Sequence, residues 1–189
     1  MKLKNFKTNG FLLLVIFFGI WPKITLAIEY CSELSFITTP NSQFIDNGDG
    51  TVTDTKTNLI WQKCPDGQSG TRCEIGTPQT YTWQNALQRA YNLNNSSGFA
   101  NSVDWRVPNI KELLSIVEHG CNDPSINREF FPAVPTATFW SSTPQNNSIY
   151  TSSGQYKVHT IYFSNGITST RAKTDLLYLR LVRSATSTN

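Results

Sequence analysis

Four cysteines, two histidines, a glycine-rich acidic turn and a group of C-terminal cations are the residues of this 189-residue chain from which chemistry could be built. Cys31, Cys64, Cys73 and Cys121 are even in number and contain no C-x-x-C step, and neither His119 nor His159 stands at metal-ligand spacing to a cysteine pair. Disulfides are the better reading. Cys64 and Cys73 bracket a stretch of turn formers (Pro65, Asp66-Gly67, Ser69-Gly70) and so close the easiest loop, which leaves Cys31 to pair with Cys121. Asp46-Asn47-Gly48-Asp49-Gly50 invites a calcium reading. An EF-type loop, however, needs side-chain oxygens at its third and fifth positions, where Gly48 and Gly50 stand. Asn-Gly and Asp-Gly supply the positive φ of a hairpin without any ion, so the segment reads as a turn.

The histidines offer little. His119 follows Glu118 at the expected end of a helix, where a cation favours the C-terminus better than it suits catalysis. His159 lies in a strand with no acid near it in sequence. Gly-x-Ser-x-Gly, Walker, His-Glu-x-x-His and Gly-x-Gly-x-x-Gly patterns do not occur. No catalytic residue, cofactor or metal is expected. Trp61, Trp83, Trp105 and Trp140 have the shape of sugar-stacking platforms, but in a domain of this size such residues belong to a core. One asymmetry remains. Residues 28–150 carry 7 basic and 12 acidic residues, whereas residues 151–189 carry five basic (Lys157, Arg171, Lys173, Arg180, Arg183) and only Asp175 as an acid. Lys157, Arg171, Lys173 and Arg183 are therefore candidate contacts for a sulfated or otherwise acidic polymer, with Arg180 expected to meet a core acid.

These residues need elements to hold them. Gln43–Ile45, Thr51–Asp54 and Leu59–Gln62, separated by the Gly-rich turn and by Thr55–Asn58, read as an antiparallel meander. Trp83, Ala86, Leu87, Ala90 and Tyr91 recur at helical spacing after a Thr82 cap, and Asn94-Asn95-Ser96-Ser97-Gly98 stops that helix. A second helix opens after Trp105-Arg106-Val107-Pro108. Pro108 holds Val107 extended, Asn109 and Glu112 form a capping box, and Ile110, Leu113, Leu114 and Val117 make the buried stripe. Trp105 is expected in the core, and Arg106 on backbone carbonyls or an acid beside this junction. Strands follow at Thr138–Ser142, Tyr156–Phe163, Ile167–Thr170 and Leu176–Val182. Strands, two helices and more strands make an α+β fold, with a C-terminal antiparallel sheet.

Composition narrows the class. The formal charge of +3 includes Lys2, Lys4, Lys7 and Lys23; without them 12 basic residues face 13 acidic ones, which excludes a nucleic-acid partner. Those lysines flank the apolar run Phe11–Trp21 and precede Thr25-Leu26-Ala27, the order of a secretory signal peptide. As a helix that run rises about 16 Å against a hydrocarbon core of about 30 Å, too little to span it. Residues 1–27 are thus expected to be removed, leaving one exported domain over residues 28–189, in the periplasm, on the cell surface or secreted. No membrane span is expected after cleavage. The oxidising compartment suits the disulfides.

The run Phe44-Ile45-Asp46-Asn47-Gly48-Asp49-Gly50-Thr51-Val52-Thr53-Asp54 with Leu59-Ile60-Trp61-Gln62 resembles the opening of the collagen-like adhesin (Lcl) C-terminal domain family. Thr82-Trp83, Asp104-Trp105-Arg106-Val107-Pro108-Asn109, Lys111-Glu112-Leu113, Ile126-Asn127, Phe131-Pro132, Phe139-Trp140-Ser141-Ser142 and Tyr178-Leu179-Arg180-Leu181-Val182-Arg183 continue it in order. The resemblance implies a C-type-lectin-like single domain, stapled here by its disulfides, related to formylglycine-generating enzymes through the Trp105–Asn109 motif. It assigns Trp61, Trp83, Trp105, Arg106, Pro108, Asn109, Glu112, Trp140 and Arg180 to the architecture. The family's namesake trimerises and binds glycosaminoglycans, so a non-catalytic, adhesin-like domain for acidic glycans and a homo-oligomer are implied, although no Gly-X-Y stalk occurs. The alternatives are a divergent formylglycine-generating-enzyme-like oxidase, which would need two reactive thiols, and a structural component of a surface assembly. Calcium-dependent sugar binding would need more side-chain oxygens than Val107-Pro108-Asn109 offers.

Overall fold

The computed structural model describes residues 30–31, 36–145 and 156–185. The signal peptide expected over residues 1–27 lies outside the described residues. The first strands are β1 (Tyr30–Cys31), β2 (Phe44–Asp46), β3 (Thr51–Asp54) and β4 (Leu59–Gln62). Three short ones follow, β5 (Gln68–Ser69), β6 (Ile75–Gly76) and β7 (Thr80–Tyr81), and then helices α1 (Trp83–Asn94) and α2 (Ile110–Ser115). The chain closes with β8 (Cys121–Asn122), β9 (Thr138–Pro144), β10 (Lys157–Tyr162), β11 (Ile167–Ala172), β12 (Leu177–Tyr178) and β13 (Val182–Ser184). The fold is α+β.

The meander β2-β3-β4 forms as the turn residues dictate, and β13 adds to its β4 edge, Val182 opposite Trp61. A five-stranded sheet runs β11-β10-β9-β12-β7, antiparallel except where β12 lies parallel to β9. Leu176–Val182 is therefore not one strand. It is β12 in one sheet and β13 in the other, joined by three buried residues. Alternation persists through the crossing. Leu177, Leu179 and Leu181 pack in a cluster with Ala86, Ala90, Trp105, Val107 and Trp140. Tyr178 and Val182 face a second cluster of Trp61, Leu113, Ile116, Phe131, Phe139 and Ile161. Arg180 is on that same side, its guanidinium 5.0 Å from the Phe131 ring. Phe139 and Trp140 likewise divide between the two clusters, so the sheet carries a core on each face.

Arg180 meets no acid, contrary to expectation. It is fully buried, and Nη1 donates to the carbonyl oxygens of Gln62 and Lys63. Backbone carbonyls replace the carboxylate because β4 ends there with acceptors pointing inward. Burial lowers the guanidinium pKa to about 9.

Two helical readings need correction. In α1 the buried residues are Ala86, Ala90 and Leu93, while Leu87 and Tyr91 face outward. Small alanines let the helix lie close to Trp105 and Trp140, and this turns the bulkier Leu87 and Tyr91 away. Helix α2 ends at Ser115, so Val117 is buried beyond it and His119 is not in its last turn. The chain leaves the helix to bridge Ile126, and Glu118 turns inward. That carboxylate accepts from the amides of Thr38, Thr39 and Gly120 and from both threonine hydroxyls. Burial would raise its pKa, but the donors of Thr38, Gly120 and Thr39 outweigh it and hold Glu118 below its ordinary value.

Disulfides join Cys31 to Cys121 and Cys64 to Cys73, across 90 and nine residues of sequence. Chain entropy makes the long closure worth about 4.5 kcal/mol and the short one about 2.5 kcal/mol. All four cysteines of the chain are thereby bonded.

Candidate functional site

The Trp105–Asn109 segment is built as architecture. Trp105 is 1% exposed and donates Nε1–H to the Phe99 carbonyl, while its backbone is clasped by the Asn94 side-chain amide. Arg106 forms a two-pronged bond with Glu112, both contacts at 2.7 Å. Glu112 also accepts from the Asn109 amide, and Asn109 accepts from Glu112 N, so the capping box is complete. Burial alone would raise the Glu112 carboxyl; Arg106 and the Asn109 amide outweigh it and lower it. Pro108 is buried, and its carbonyl accepts from Ser142 N on β9. Trp61 and Trp140 are fully buried.

The Asp46–Gly50 turn uses its carboxylates on its own chain. Asp46 accepts from Gly48 N and holds the Lys63 ammonium at 2.6 Å, and the Lys63 bond lowers its pKa. Asp49 accepts from Thr51 N and Oγ1. Among the described residues no group of three or more His, Cys, Asp or Glu side chains is arranged to hold a metal.

The four candidate cations do not form one set. Lys157 and Arg171 lie at the open end of the β10–β11 hairpin, where Lys157 pairs with Ala172 and Val158 with Arg171. Lys173 continues the register, its amide donating to the Tyr156 carbonyl. The pleat puts Tyr156, Arg171 and Lys173 on the face of Val158, and Lys157 on the other. Arg183 is elsewhere: it sits on β13 of the other sheet, its guanidinium 5.8 Å from the Trp105 ring, with Nη1 donating to the Ser184 carbonyl. Sequence nearness suggested a common patch. The passage of the chain from one sheet to the other separates it.

Trp83 is the residue whose role the sequence misplaced. It is half-buried rather than core, donates Nε1–H to the Ser141 carbonyl, and lies 4.3 Å beneath the Lys173 ammonium. The Tyr156 ring stands 5.4 Å from the same ammonium. A backbone bond from Trp83 N to the Lys173 carbonyl fixes the start of α1 to this corner. The result is a cation held between two rings, with Arg171 beside it. Charged and aromatic groups so placed can meet an anionic group and the apolar face of a ring at once. Nothing in the one-dimensional spacing of Trp83, Tyr156 and Lys173 announces this corner.

A second polar grouping also lacks a sequence signature. Asp66, buried at the head of the Cys64–Cys73 loop, accepts from Tyr81 Oη at 2.6 Å and from Arg89 Nε at 3.0 Å through the same oxygen. Burial, then the Asp66 bond, pushes the Tyr81 phenol up to about 12.

The model of the Lcl C-terminal domain matches residues 50–183, from the β2–β3 turn through β13. The chain belongs to that family. No curated protein matches the chain significantly.

Proposed function

We propose that this protein is an exported, non-catalytic binding domain of adhesin type that recognises acidic glycans through the corner of Arg171, Lys173, Trp83 and Tyr156, with Lys157 flanking it. One observation carries the reading. Lys63, Arg89 and Arg106 each sit on a carboxylate, whereas Lys157, Arg171 and Lys173 have no acidic partner among the described residues. Unpaired cations beside aromatic rings are suited to sulfate or carboxylate groups on a sugar chain. Membership of the Lcl C-terminal domain family supports it. Two disulfides suit an oxidising compartment, and no helix of the described residues is long and apolar enough to cross a membrane. The oxidase alternative needs free thiols, and none of the cysteines is free. Arg183, held on Trp105, is left out of the contact set.

Heparin-agarose chromatography tests it. The protein is expected to be retained at low salt and released as salt screens the contact, with Arg171→Glu plus Lys173→Glu eluting much earlier and Arg183→Gln unchanged. Flow-through of the wild type at low salt, or equal retention of the double variant, overturns the reading.

A further inference from the structure

A separate cleft of about 480 Å³ opens between the β2–β3 turn, the disulfide-closed loop and α1 at Arg89 and Leu93. That volume lies within the range of small-ligand sites, roughly 300–1,000 Å³. Its polar wall consists of two ready-made ion pairs, Asp46–Lys63 and Asp66–Arg89. Its apolar wall is Phe99 with Leu93. The ring is located by contact with Gly50, where an added Cβ would lie 3.0 Å from Phe99 Cζ, and by an edge-on contact with Trp105 at 5.5 Å.

The chemistry of the wall selects the ligand class. Three carboxylates (Asp46, Asp49, Asp66) and two cations (Lys63, Arg89) line the cleft, a balance of one negative charge that disfavours the polyanion proposed for the hairpin. Each cation is already neutralised, so the ligand need carry no charge. Asp66 uses only Oδ2 for its two bonds, and the Arg89 guanidinium, joined to it through Nε, also bonds the Tyr81 hydroxyl. Asp66 Oδ1 takes part in neither bond, and a guanidinium carries five N–H donors, more than Asp66 and Tyr81 use. An acceptor and donors held side by side match neighbouring hydroxyl groups, each of which donates and accepts. A phenyl ring opposite matches the C–H face of a pyranose. We infer that this cleft is a second binding site, for a neutral saccharide, held by Asp66 and Arg89 and packed on Phe99.

The site is independent of the hairpin, and the test separates the two. The purified, disulfide-bonded protein is titrated with cellotriose, chitotriose and maltotriose at millimolar concentration while amide NMR shifts are followed at Gly50, Gly67 and Gly70. At least one sugar is expected to move these resonances. Ser69 is exposed at the rim, so Ser69→Trp fills the cleft from outside and is expected to weaken that binding at least about tenfold; Phe99→Leu keeps an apolar wall but removes the ring, and is expected to weaken it less. Arg171→Glu plus Lys173→Glu should leave it unchanged, and Ser69→Trp should leave heparin retention unchanged. The inference is overturned if none of the three sugars moves the cleft amides, if Ser69→Trp binds as wild type, or if the hairpin variant abolishes binding.

Discussion

Lys63, Arg89 and Arg106 hold carboxylates that themselves organise a turn, a loop and a helix start, while Lys157, Arg171 and Lys173 stand on a hairpin that pairs through their backbone and not through their charged side chains. The first group works inside the fold. Asp46 accepts from the Gly48 amide as well as Lys63, Asp66 from Tyr81 as well as Arg89, and Glu112 from Asn109 as well as Arg106. Removing such a cation leaves a partner that other bonds hold in place. The side chains of the second group meet no acid among the described residues, so their charge contributes little to the folded state. A charge count over the sequence cannot separate these groups; their partners can.

Trp105 belongs to the architecture although it lies beneath Arg183, and its loss has the largest expected effect. Trp105→Ala should cost about 3 to 5 kcal/mol in urea unfolding, because a fully buried indole is lost from the cluster on α1 together with its bond to Phe99. Heparin retention of the protein that remains folded should be unchanged. A variant that unfolds with wild-type stability would show that Trp105 is not part of the core.

Glu118 gives the next effect, and it has a pH signature. Its folded pKa is lowered, so the stability it contributes is fully present above its ordinary value of 4.5 and is lost as pH falls through the folded value. Below the ordinary value the unfolded chain takes up a proton that the folded chain still refuses, and stability declines. Glu118→Gln should cost about 1 to 3 kcal/mol at neutral pH, since an amide NH₂ is brought against backbone donors. It should also make the loss of stability below pH 4.5 shallower than in the wild type, with Glu112 and Asp46 supplying the remainder. Urea midpoints measured across that range decide it; parallel curves would show that Glu118 is not the titrating group.

Asn109→Ala follows, at about 1 kcal/mol, the usual effect of losing an N-cap. Thermal melts should show it without any change in heparin retention, even though Asn109 adjoins Arg106.

How far these assignments were legible depends on the range of the interaction. The meander, the Thr82 cap and the Asn109–Glu112 box were readable because turn and cap chemistry acts over two to four residues. The cysteine pairs follow from loop length. The apolar period runs past the end of helix α2 because Val117 keeps it after the helix has ended; burial there comes from the Ile126 bridge. Leu176–Val182 has the alternation of one strand because a single alternation serves two cores in succession. The cations were countable, yet Trp83 beneath Lys173, Arg183 above Trp105, and Asp66 between Tyr81 and Arg89 are meetings of distant segments that no local period encodes.

The hairpin cations carry the smallest expected effect on stability. If the hairpin cations lie outside the folding machinery, reversing them should barely register in stability. Lys157→Glu and Arg171→Glu should each remain within about 0.5 kcal/mol of wild type, as surface changes do. Lys173 differs in one respect, because its ammonium rests between Trp83 and Tyr156; Lys173→Glu should cost about 0.5 to 1 kcal/mol, the worth of an exposed cation–π contact. Lys173→Met separates charge from packing, since it keeps an apolar stem over the rings and should recover much of that loss while still weakening heparin retention. Retention that follows charge while stability follows ring contact would place the two functions of one side chain on different atoms. If instead stability falls by several kcal/mol with any of these reversals, the hairpin cations are structural, and the contrast with Lys63, Arg89 and Arg106 disappears.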